Sequence, residues 1–69
     1  MTARERALRH VAAMVARYRA GLAWRLPATT RVFYEAREKA LSRELALLRT
    51  TGPEAERAAR FWVGIGGAE

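Results

Sequence analysis

The chain has 69 residues, a mass of 7.8 kDa, no cysteine and a formal charge of +6. That length has room for one small domain over 1–69 and no second one, and the missing thiols exclude disulfides and thiolate metal sites. Hydrophobic residues make up 51%, too many for a disordered tail and too interrupted by charge for a bilayer span.

Asn, Gln, Asp and Cys are all absent, and twelve of the thirteen basic residues are Arg, Lys39 being the exception. A GC-rich genome favours Arg and Ala codons, and avoidance of thermolabile side chains removes Asn, Gln and Cys. An Arg excess of this origin is no sign of an anionic ligand in itself. Its placement says more. Residues 1–34 carry seven Arg against Glu5 alone, whereas residues 35–69 carry six basic residues and six Glu. The whole net charge therefore lies on the first half, an asymmetry that can mark an anion-binding end.

The first predicted helix spans about 2–24. Thr2 and Glu5 have the spacing of a capping box. Leu8, Val11, Val15, Tyr18 and Leu22 follow at steps of 3 and 4, one helical stripe that Met14 widens. Gly21 weakens the last turn by about 1 kcal/mol relative to Ala, and Pro27 stops continuation through Leu26. The second helix is expected over 30–49 with Thr30 as N-cap. Val32, Phe33, Ala36, Ala40 and Leu47 fall on one flank, and Tyr34, Leu41, Leu45 and Leu48 on the next. An apolar arc this wide predicts a central helix with two packed neighbours. Arg31–Glu35 and Glu35–Lys39 have the spacing of weak surface pairs.

Gly52 is expected to end that helix, and Pro53 suits a helix first turn. The third helix then covers 53–63, with Ala55, Ala58, Trp62 and Ile65 as its stripe, Glu54 and Glu56 at its N-terminus and Glu56–Arg60 as a surface pair. Residues 64–69 read as a loose Gly-rich tail. The fold class is all-α, a helical hairpin or small three-helix bundle, because the loops are short. A core this small supplies only about 3–5 kcal/mol, so oligomerisation or docking on a larger protein is the natural supplement.

No enzymatic constellation emerges, and no catalytic, cofactor-binding or metal site is assigned. His10 is the sole histidine, read as a solvated residue with no second ligand nearby. Glu35 and Glu38 share a helix face, but Arg31 and Lys39 turn them into an ion-pair ladder rather than a general acid–base pair. Gly64-Ile65-Gly66-Gly67 lacks the Lys and the flanking strand and helix of a phosphate loop.

Two surfaces are singled out. Arg6, Arg9, His10 and Arg17 occupy the first helix opposite its stripe, spaced by Ala13, Ala16 and Ala20, and guanidinium groups so placed can grip a phosphate backbone. Without Asn or Gln to read adenine, such contacts with DNA or RNA are expected to be largely non-specific. Trp24, Arg37 and Glu44 are the candidate protein-interface residues. Trp24 falls on the polar side of its helix, and Glu44 lies inside the apolar arc two turns after Arg37, where a charge must pair or reach water. The leading expectation is a non-enzymatic interaction protein, self-associating or docked in a larger complex in the cytoplasm, without integral membrane insertion. Nucleic-acid binding through the first helix is the alternative. That Arg-rich amphipathic helix also has the character of an organelle-targeting or membrane-surface segment.

Overall fold

The computed structural model describes residues 2–64. It contains three helices, α1 (Ala3–Leu22), α2 (Ala28–Leu48) and α3 (Pro53–Gly64), each touching both others, in a bundle of 38 × 21 × 16 Å. The all-α three-helix architecture follows the hydrophobic periodicity. The expected tail at 64–69 lies outside the described residues except Gly64, which is the last residue of α3.

α1 starts as its sequence dictates. The Glu5 N–H donates to Thr2 Oγ1 (3.1 Å) and the Thr2 N–H donates to Glu5 Oε1 (2.9 Å), closing the capping box. The helix stops at Leu22, two residues before the expected Trp24. α2 begins earlier than expected. Pro27, with φ −56° and ψ 150°, is the residue that precedes it, and the Pro27 carbonyl accepts from the Arg31 N–H at 2.9 Å. The locked φ of proline and its extended ψ supply the non-helical entry conformation, so Thr30 is inside the helix and caps nothing. α2 also ends sooner, with Arg49 as C-cap. Gly52 does not terminate α2. It sits immediately before Pro53 with φ 124°, and its carbonyl accepts from the Glu56 N–H of α3. Glycine alone takes that backbone conformation without strain.

The buried core consists of Ala7, Val11 and Val15 from α1, Leu41 and Leu48 from α2, and Ala55, Ala58 and Ala59 from α3. Leu8, Met14, Tyr18, Leu45, Leu47 and Trp62 pack around it. Half of this core is alanine, which lets the helices approach closely but buries little area per residue. α2 has the two packed neighbours expected of it, α1 and α3, but they do not cover both of its flanks. Leu41 and Leu48 of one flank are buried, while on the other flank Val32, Phe33, Ala36 and Ala40 are exposed and only Leu47 packs against the core. α3 follows α2 after a four-residue connection and lays its alanine face against α1 and α2 together, leaving that flank open.

Candidate functional site: an open α2 flank and a basic α1 face

Several arginines hold the bundle together rather than a ligand. Arg4 donates from Nε to the Leu48 carbonyl (3.0 Å) and from Nη2 to those of Arg49 and Thr50 (3.1 and 3.2 Å). It thereby satisfies the carbonyls left without partners at the end of α2. Arg31 does the same across the first turn, donating to the Leu22 and Trp24 carbonyls (3.4 and 3.1 Å). Arg19 donates to Glu38 at 2.8 Å, the one ion pair among the described residues. Glu38 also accepts from Ser42 Oγ. The hydrogen bonds from Arg19 and Ser42 hold the Glu38 carboxyl below its ordinary pKa, as those from Thr2 do for Glu5.

The expected ladder of surface pairs is therefore corrected. Arg31 turns to backbone carbonyls instead of Glu35, and Glu35–Lys39 and Glu56–Arg60 do not close to pairing distance. An exposed pair has little to offset the freedom of two long side chains, whereas a carbonyl cluster offers fixed acceptors.

His10 is not the solvated residue the helical wheel suggests. It is half-buried, its ring 5.8 Å from that of Trp62 on α3. It drops out of the basic face because α3 packs over that side of α1. Arg6, Arg9 and Arg17 remain exposed there. The side chains of Arg6 and Arg17 make no hydrogen bond or ion pair with any described residue, and Arg9 lies close enough to Glu5 to lower its pKa.

The three residues marked as interface candidates separate. Glu44 accepts a hydrogen bond from Trp62 Nε1 at 3.0 Å, so its partner is α3 of the same chain and not Arg37. Arg37 instead reaches back to α1. Its Nε donates to the Tyr18 hydroxyl at 3.4 Å, and its guanidinium carbon lies 5.8 Å from the centroids of both Tyr18 and Phe33. Trp24 stands in the α1–α2 turn, 72% exposed. Two further exposed hydrophobics, Val32 at 65% and Phe33 at 55%, follow on the first turns of α2, and Phe61 at 58% lies on α3.

Two open hollows meet at Ala40. One, of about 380 Å³, is lined by Glu35, Ala36, Lys39, Ala40 and Arg43. The other, of about 230 Å³, is lined by Arg37, Ala40, Leu41, Glu44 and Trp62. Ala36 and Ala40 leave room between the long charged side chains, and Leu41 and Trp62 add apolar lining, a combination suited to an inserted apolar ridge. The first hollow depends on α3 leaving one flank of α2 open and the second on Trp62 of α3 standing beside α2, neither of which helical spacing registers. Among the described residues no three metal-ligating side chains converge, and no helix is long and apolar enough to cross a membrane. The chain matches no known family, no curated protein and no solved structure.

Proposed function

We propose that the protein is a non-enzymatic interaction module that self-associates or docks as a small subunit of a larger assembly through the open flank of α2. The observation that supports this reading is the pair of hollows meeting at Ala40, where exposed small side chains of α2 lie between long charged ones. A partner ridge seated there would add the apolar burial that an alanine-rich core of this size lacks. Analytical ultracentrifugation across the micromolar range, with purification from the native host, tests it. An oligomer or a stoichiometric protein partner is expected, and Ala40→Glu, at an exposed position, should abolish either one. A wild-type monomer that co-purifies with no protein overturns the reading.

A second reading rests on α1. Arg6, Arg9 and Arg17 form an exposed row about 16 Å long, and no acid occurs between Glu5 and Glu35. Phosphate contacts from such a row give nucleic-acid binding that weakens steeply with salt. Replacing the three arginines with Ala should flatten that salt dependence. The absence of any mobility shift with duplex DNA or RNA at low salt would dispose of it.

A further inference from the structure

The α1–α2 turn is unusual for a surface connection. Turns are ordinarily built from Gly, Pro, Asn, Asp and Ser, yet residues 22–28 read Leu-Ala-Trp-Arg-Leu-Pro-Ala, apolar throughout except for Arg25. Trp24 is the most exposed large hydrophobic residue of the described chain, and Val32 and Phe33 are exposed on the first turns of α2. The turn does not fold over to shelter its tryptophan. Arg31 grips the Leu22 and Trp24 carbonyls and fixes the backbone, while the Trp24 side chain stays in solvent. Below it the end of the bundle is rigidly packed. The Tyr34 ring meets Tyr18 edge-on at 5.1 Å and lies against Gly21.

Charge gathers at the same end. Arg17, Arg19, Arg25 and Arg31 belong to the last turns of α1, the connection and the first turn of α2, and Arg37 lies near the middle of α2. Their acidic counterparts are Glu35 and Glu38, and Glu38 is already held by Arg19. The opposite end, where Arg4 meets the end of α2, carries Glu5, Glu54 and Glu56 beside Arg4, Arg6, Arg49 and Arg57. An exposed apolar tip with a basic surround is complementary to one kind of surface in particular, an anionic lipid interface. There the indole settles at headgroup level and the arginines meet lipid phosphates and carboxylates. The exposed aliphatic Val32, and the alanine, leucine and proline of the turn, suit acyl chains better than the stacked bases of a nucleic acid, which call for aromatic faces.

We propose that the α1–α2 turn is a peripheral membrane-docking tip: Trp24 and Phe33 enter the interface of an anionic bilayer, and Arg17 and Arg25 bind its headgroups. This goes beyond the protein-partner reading: the tip shares Val32 and Phe33 with the open flank of α2, but Ala40, where the hollows meet, lies two turns beyond Phe33, so variants at Trp24 and Ala40 separate the two.

Co-sedimentation with vesicles tests the tip directly, using phosphatidylcholine alone and phosphatidylcholine mixed with phosphatidylserine. Binding to the mixed vesicles is expected to exceed that to the neutral ones by at least about tenfold, since each basic residue near the surface contributes about 1 kcal/mol. It should weaken as salt is raised, and tryptophan emission should shift to the blue. Trp24→Ala leaves the buried core untouched and should reduce binding about tenfold, with Arg25→Glu acting in the same direction. Ala40→Glu, which disables the protein-docking flank, should leave vesicle binding unchanged, so the two readings fail separately. No sedimentation with anionic vesicles, or equal binding by wild type and Trp24→Ala, overturns the proposal. So does tryptophan quenching by a single-stranded oligonucleotide without any vesicle response, which would assign the tip to nucleic acid.

Discussion

Gly21 shows how a residue's local and tertiary roles can oppose each other. Helix propensity alone makes Gly21→Ala stabilising by up to about 1 kcal/mol. In the bundle, a Cβ at this position would lie 2.3 Å from Cε2 of the Tyr34 ring, and the ring is already held between Tyr18 and Phe33. Gly21→Ala is therefore expected to destabilise the protein by about 1–3 kcal/mol, the range for overpacking. Placing the same change in a Tyr34→Ala background should reverse its sign. Thermal melts of the four variants of this cycle check the coupling. Arg4 makes the corresponding case for charge. Arg4→Ala leaves three carbonyls without their donor and should lower stability by about 1–2 kcal/mol, with Arg4→Lys restoring little because an ammonium cannot span all three. If urea titration finds Arg4→Ala as stable as wild type, the cross-helix cap contributes nothing.

The helices differ in what starts them. α1 has a complete capping box, α2 is started by the backbone of a proline, and α3 follows a glycine at positive φ with Pro53 in its first position. Carboxylates matter most at α1 and at the α1–α2 contact, where Glu5 and Glu38 both have their pKa lowered below the ordinary value of 4.5. A carboxyl with a depressed folded-state pKa contributes stability that is fully present above its unfolded value. That contribution disappears as the pH falls through the lowered folded value. Stability should thus be level from neutrality down to about 4.5 on account of these two groups and decline below it. Glu5→Gln and Arg19→Ala should each flatten the acid limb, most simply seen in denaturant midpoints measured across that range.

For the whole molecule, a core of eight small or medium side chains leaves little reserve. Val15 is 3% exposed, in contact with the rest of the buried cluster. Val15→Asp would bury an unpaired carboxylate at a cost of several kcal/mol against a margin of about 3–5 kcal/mol. Loss of the helical circular-dichroism signal at room temperature is the expected outcome. Arg17→Ala removes an exposed side chain with no partner among the described residues and should melt with the wild type. A folded Val15→Asp variant would mean that the α1 stripe is a docking face rather than core.

Helix number, order and type were legible in the sequence because they rest on local rules. The 3–4 spacing of Leu8 to Leu22, the Thr2–Glu5 box and the Gly52-Pro53 break each involve residues close along the chain, whose geometry does not depend on what packs nearby. The exposed row of Arg6, Arg9 and Arg17, and the solvent-facing Trp24, were readable for the same reason. What the sequence left open concerns residues far apart along the chain. The gripping of the α2 end by Arg4, the pairing of Glu44 with Trp62, the shelter of His10 beneath α3 and the fit of Gly21 against Tyr34 each link residues 13 or more positions apart. Periodicity says which face of a helix is apolar but not which neighbour covers it. Only the joint packing of α1 and α3 decided that one flank of α2 would be buried and the other would remain open.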